Sequence, residues 1–188
     1  MGAYWIALRR APRALRLFLV FTFLANAGLG VYQLLYPLYL VRLGYRDDVV
    51  GAVSAATMVA VAAGALALGP LLRRHGAWRC LCVGAALLAV AAAGQALARP
   101  LPLLLAAAAL AGLGQAGILV PTMPFLLPHT SEEGRTETVA ATYALLSAAL
   151  MLGALVGGHL PALLGADVAP GAAAPYRATL LVGVALIA

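Results

Sequence analysis

No lysine occurs anywhere in the chain: all 12 basic residues are arginine, and only 6 acidic residues stand against them. Charged residues make up 10% of the sequence and aromatics 7%, and the arginines flank apolar runs instead of alternating with aromatics. That arrangement excludes nucleic acid as a partner, which needs a basic surface with stacking groups. Cysteine is also scarce. Cys80 and Cys82 form a lone CxC pair with His75 as the nearest histidine, too few ligands for a tetrahedral zinc site and no basis for a disulfide framework. No metal and no cofactor are expected. A phosphate-binding P-loop and a GxSxG nucleophile motif are both missing, so neither ATP hydrolysis nor α/β-hydrolase chemistry is encoded. Gly112-x-Gly114-x-x-Gly117 has the letters of a dinucleotide fingerprint, but it lies in an apolar run with no strand before it.

Apolar residues are what the chain has in excess: 64% of the sequence, with a mean hydropathy of +1.00. A soluble domain of 188 residues has too little interior to hide that much apolar surface, so the chain is a multi-pass membrane protein. No run alternates apolar and polar residues at period two, which excludes a β-barrel in favour of helices. Predicted spans cover residues 17–41, 49–72, 78–98, 101–127 and 139–164. A sixth begins near Tyr176 and has only 12 residues before the sequence ends, too few for a full crossing, so either the chain is a fragment or this helix is incomplete. The fold class is all-α, a polytopic membrane helix bundle. Short connections force antiparallel neighbours, so the spans are expected to form an up-and-down packed bundle.

One motif occurs twice, 84 residues apart: Ala27-Gly28-Leu29-Gly30 leading to Pro37, and Ala111-Gly112-Leu113-Gly114 leading to Pro121. The same offset pairs Leu68-Gly69-x-Leu71 with Leu152-Gly153-x-Leu155, and His75 with His159. Glycine, proline and histidine matching in register point to two copies of one unit, residues 1–98 and 99–188. Because the first and fourth spans cross in opposite directions, the copies form inverted three-helix repeats. Pro37 and Pro121 then fall towards opposite faces, as bending points for two gates.

Arginine also sets orientation. With the N-terminus cytoplasmic, inner segments carry 8 arginines (Arg9, Arg10, Arg13, Arg16, Arg73, Arg74, Arg79, Arg135) and outer ones carry 4 (Arg42, Arg46, Arg99, Arg177), as the positive-inside rule requires. The expected location is the cell inner membrane, with the lipid bilayer as the chain's immediate partner.

The order of these features resembles the N-terminal six-helix half of a major facilitator superfamily transporter. Tyr36-Pro37-Leu38-Tyr39-Leu40, then Leu43-Gly44 and Val50-Gly51, is an arrangement common there. Gly69-Pro70-Leu71-Leu72-Arg73-Arg74-His75-Gly76 resembles the family's GxLaDrxGrr loop between helices two and three, with Gly69, Leu71, Arg74 and Gly76 fitting. Arg73 stands where the family has the aspartate thought to latch the outward-open state, and Ala77 and Trp78 replace basic residues. The inverted charge suggests that Arg73 instead pairs with Glu132, Glu133 or Glu137. Ala108 occupies the place of an arginine implicated in proton coupling. Gly153-Ala154-Leu155-Val156-Gly157-Gly158 is similar to the exporters' GPxxGG, with Ala154 for proline. The resemblance implies a secondary active transporter working by alternating access, in the direction of efflux, completed by a C-terminal six-helix half. Gly69, Arg73, Arg74, Gly76, Pro37 and Pro121 are its expected gating residues.

No Asp, Glu, Lys, Arg or His lies deep within the first four spans, so neither a proton relay nor a charged-substrate site is offered by them. His159, in the fifth, is read as a structural, hydrogen-bonded histidine. Polar uncharged groups remain. Thr22, Asn26, Gln33 and Tyr36 follow at helical spacing, as do Gln115 and Thr122, and then Tyr143, Ser147 and Met151. The resembled family uses helices one, four and five to line its cavity. Asn26, Gln33, Tyr36, Gln115 and Tyr143 are therefore expected to line one here, for a neutral or amphipathic small-molecule substrate; interhelical hydrogen bonding is the competing role. Two other classes are weighed. An intramembrane serine protease fails on geometry, because Ser147 and His159 are separated by roughly 18 Å along one helix. A truncated non-transporting scaffold, or a half that dimerises, is the other.

Overall fold

The computed structural model describes residues 13–130, 135–164 and 173–187. Among them are six helices and no strand: α1 Arg13–Arg42, α2 Asp47–His75, α3 Ala77–Leu97, α4 Leu101–Leu126, α5 Arg135–Leu163 and α6 Ala174–Ile187, with one 3-10 turn, Leu127–His129. Five of these helices are long and apolar enough to cross a membrane, and α6 spans 14 residues. At the ends of α2, charge of the right sign supports helix beyond the apolar run. Asp47 and Asp48 fill the first turn of α2 and Arg73, Arg74 and His75 its last, matching the positive and negative ends of the helix dipole.

Gly76 ends α2 and admits α3 within one residue. Its φ of 80° and ψ of 160° lie in a region essentially closed to residues with a Cβ, and its N–H donates to the Leu72 carbonyl at 2.9 Å. At the opposite end, Tyr45 donates its hydroxyl to the Arg99 carbonyl, tying the α1–α2 turn to the α3–α4 turn. The described arginines divide accordingly. Arg13, Arg16, Arg73, Arg74, Arg79 and Arg135 mark one end, and Arg42, Arg46, Arg99 and Arg177 the other, beside Asp47 and Asp48.

Apart from α3 and α4, the helices that pack most closely are not successive in the chain. α1 lies chiefly on α5 and α6, α4 on α2 and α3, and α3 also meets α6, while α1 and α2, or α2 and α3, barely touch. Small residues decide this, because they let helix backbones meet. Gly153 faces Ala27 so closely that a Cβ would overlap the Ala27 carbonyl, and one at Gly157 would sit 3.0 Å from Val31 Cα. On the other side of the bundle, Gly84 and Gly117 abut one another, with a Cβ on Gly84 only 2.6 Å from the Gly117 backbone.

The twice-occurring motif acquires a structural meaning here. Residues two apart on a helix point in nearly opposite directions, so each copy presents its two glycines to two different neighbours. Gly28 meets Gly183 of α6 and Gly30 meets Leu150 of α5, whereas Gly112 meets Thr57 of α2 and Gly114 meets Gly84 and Leu88 of α3. The order of partners is thus reversed between copies. At the 84-residue offset the motif shares the device of two close contacts, not the identity of the surroundings.

Two apolar clusters hold the bundle. One gathers Val31, Leu35, Tyr39, Leu40, Leu104 and Leu180; the other gathers Phe18, Leu81, Leu88, Phe125, Leu126 and Ile187. Along α1, Thr22 and Asn26 fall between the two clusters, and there the bundle opens a cleft.

Candidate transport cleft

The cleft has two connected lobes of about 250 Å³ and 340 Å³, which share Leu29, Gln33, Met58, Leu88 and Gln115. Five helices build it, α5 closing the second lobe with Leu146 and Leu150. α1 supplies Thr22, Asn26, Gln33 and Tyr36, α2 supplies Ser54, Thr57 and Met58, α3 supplies Leu88 and Gln95, and α4 supplies Gln115 and Thr122. No Asp, Glu, Lys, Arg or His lines either lobe. The walls therefore offer hydrogen bonds but no ion pair.

Most hydroxyl donors are already engaged. Thr22 donates to Phe18 O at 2.5 Å, Ser54 to Val50 O at 2.9 Å, Thr57 to Val53 O at 3.0 Å and Thr122 to Ile118 O at 2.8 Å. Each bond is to the residue's own helix, so each hydroxyl presents lone pairs to the cleft and acts as an acceptor. The Asn26 amide likewise donates to Thr22 O at 2.8 Å. Its bond runs within α1 and does not cross to a neighbouring helix.

The tyrosines differ from the threonines. Tyr32 donates to Gln95 Oε1 at 2.7 Å and stacks on Tyr36 with ring centroids 5.0 Å apart. Tyr36 itself is 7% exposed, and its hydroxyl has no hydrogen-bond partner. A buried hydroxyl left unpaired costs about 1–3 kcal/mol, so this group is a donor held ready in the wall of the cleft. Beside it, Pro37 has no N–H to give to the Gln33 carbonyl one turn earlier, and both residues line the same lobe.

Of the five residues expected to line a cavity, the cleft thus gathers Asn26, Gln33, Tyr36 and Gln115. Tyr143 lines neither lobe and is 42% exposed on α5, on a face shared with Ser147 and Met151. His159 lies on the same helix, exposed and without a hydrogen bond to any described residue, because the flank of α5 that carries it is turned away from α1. Four contributors escaped notice in the sequence: Tyr32, Ser54, Thr57 and Gln95. Gln95 carried a usable signal, since it is a lone amide in the otherwise apolar second half of α3.

A model of the Major Facilitator Superfamily matches residues 18–188. The chain belongs to that superfamily. No curated protein matches it significantly. Membership makes it a multi-pass membrane protein of a transporter family, and the superfamily's α2–α3 connection can be placed on the structure. Gly69, Arg73, Arg74 and Gly76 are all exposed at the basic end of α2, and nothing lies within 4 Å of where a Cβ on Gly69 would be. Arg73 makes no ion pair with any described residue; Glu137 is exposed at the start of α5, and Glu132 and Glu133 lie outside the described residues. Pro37 is half-buried within α1 and Pro121 fully buried within α4.

Proposed function

We propose that this superfamily member is a six-helix half of a secondary transporter that moves a neutral or amphipathic small molecule outward by alternating access. The observation that carries this reading is the uncharged cleft with its unpartnered Tyr36 hydroxyl. Gln33, Tyr36 and Gln115 are the substrate's donors; Asn26, Ser54 and Thr57 offer acceptor oxygens. Such a set suits a ligand that carries both hydroxyl or carbonyl oxygens and apolar surface.

Several features support a two-half machine. α2 and α5 are the least covered of the long helices, so apolar surface on both awaits a partner, which we assign to a second six-helix half. Tyr143 on exposed α5 would then meet substrate only from the seam between halves. The reciprocal packing of α1 on α5 and α6, and of α4 on α2 and α3, supports reading residues 1–98 and 99–188 as paired repeats. Pro37 and Pro121 serve as opposite bending points, and Gly69, Arg73, Arg74 and Gly76 as the connection that reports which side is closed. The six described arginines at one end favour a cytoplasmic N-terminus in a cell inner membrane.

The test is transport by the full-length protein in proteoliposomes, across a panel of neutral, cationic and anionic solutes, with and without a pH gradient. Neutral solutes should move and charged ones should not. Replacing Gln33 or Asn26 singly with Ala should weaken apparent affinity about 2- to 10-fold, the worth of one hydrogen bond. Preference for a charged solute, or unchanged affinity in both variants, would overturn the assignment. Arg73→Ala transport indistinguishable from wild type would remove Arg73 from the gate.

A further inference from the structure

A second cavity lies on the far side of α4 from the transport cleft. Leu113 lines it while Gln115, two residues on, lines the cleft, as expected of residues on opposite faces of one helix. It has a volume of about 660 Å³ and no residue of α1 in its walls. α2 contributes Ala67, Leu68 and Leu71, α3 contributes Val83 and Leu87, and Gly64, Gly84 and Gly117 keep its floor thin. It exists because α2 and α3, joined only through Gly76, diverge and scarcely touch. The slot is almost wholly apolar and runs to the basic end of the bundle.

Its mouth is cationic. His75, Trp78 and Arg79 line that end, and Arg73 and Arg74 stand in the adjoining last turn of α2. All three arginines are exposed, and no described carboxylate pairs with any of them. Trp78 is 43% exposed beside them and packs on Phe21 and Phe125, the half-apolar, half-wet setting that tryptophan takes at a membrane interface.

We propose that this slot is a binding site for one anionic phospholipid: an acyl chain lies between α2 and α3, and the phosphate meets Arg79, with Arg73, Arg74 and His75 around it. An apolar slot needs a slender apolar occupant, and its unneutralised rim needs that occupant to end in negative charge. A phospholipid of the surrounding leaflet brings both in one molecule. An apolar helix of a partner protein would leave the arginines unmatched. The lipid would wedge apart the helices on either side of Gly76, and so bias the angle between α2 and α3.

Trp78 is a built-in reporter, since the sequence's only other tryptophan is Trp5. The full chain carrying Trp5→Phe is reconstituted in vesicles, and Trp78 fluorescence is quenched by acyl-chain-brominated phosphatidylglycerol or, at equal mole fraction, brominated phosphatidylcholine. Phosphatidylglycerol should associate about fivefold more strongly for each arginine engaged. Arg79→Gln should lower that preference about fivefold, and about 1 M salt should remove most of it. Ala67→Phe, which fills the slot, should reduce quenching by both lipids while far-ultraviolet circular dichroism stays unchanged. Equal quenching by the two lipids, or a preference indifferent to Arg79→Gln and to salt, overturns the proposal. So does quenching that Ala67→Phe leaves intact, which would place the acyl chain outside the slot.

Discussion

Two helical hairpins share α3 and differ in almost everything else. α2 and α3 are separated by a single residue, and α3 and α4 by residues 98–100, so chain connectivity holds the first pair tighter. Yet α3 and α4 pack along their length, with Gly84, Gly114 and Gly117 bringing the backbones together, while α2 and α3 diverge around an apolar slot. A short connection dictates direction; it does not dictate contact. Contact follows from where the side chains are small. Lipid tails are as apolar as leucine, so helices associate in a bilayer by close packing and not by hiding apolar surface. α2 keeps its own small contact face, Gly64 against Leu113 and Ala116, for α4.

The contrast is broken most forcefully at the tight seam. Gly84→Leu forces a side chain into the Gly117 backbone and should destabilise the protein by about 1–3 kcal/mol or more, read as a lowered thermal unfolding midpoint in detergent. Next comes the single residue between α2 and α3. Gly76→Ala has open space around it but an unfavourable backbone, and should cost about 1–3 kcal/mol through strain alone. The cleft provides a change of opposite sign. Tyr36→Phe deletes an unpartnered hydroxyl, so the empty protein should keep its stability or gain about 1 kcal/mol, while affinity for the transported solute falls. A loss of stability with no change in affinity would make that hydroxyl structural. The smallest effect is expected on the open side of the first hairpin. Ala67→Leu and Gly69→Ala face exposed positions and should stay within about 0.5 kcal/mol of wild type in the same unfolding measurement.

Legibility differed between fold and cleft for a physical reason. Helix existence and placement were open in the sequence, since an apolar run of sufficient length has no other way to satisfy its backbone in lipid. Helix ends were less so: α5 starts at Arg135, earlier than the apolar run at 139, because its polar first turn still forms helix. Within the cleft, Asn26, Gln33, Tyr36 and Gln115 were visible because amides and phenols are rare in such a chain. Ser54 and Thr57 were not, since hydroxyls bonded to their own helix occur wherever a helix crosses lipid. Tyr143 showed the limit of spacing: steps of four define a face of α5, but the neighbour that face meets is decided elsewhere.

By itself the sequence determined that the chain lives in a membrane, crosses it as helices in alternating directions, belongs with the transporters that Gly69 to Gly76 resemble, and keeps Asp, Glu, Lys, Arg and His from lying deep within the first four spans. Tertiary structure alone decided which helices touch. Turning by about 100° per residue, a helix presents every side chain to some neighbour, and the glycine contacts that select the neighbour are made between residues far apart in the chain, such as Ala27 with Gly153 and Gly84 with Gly117. The cleft, the free Tyr36 hydroxyl and the slot between α2 and α3 are consequences of those contacts.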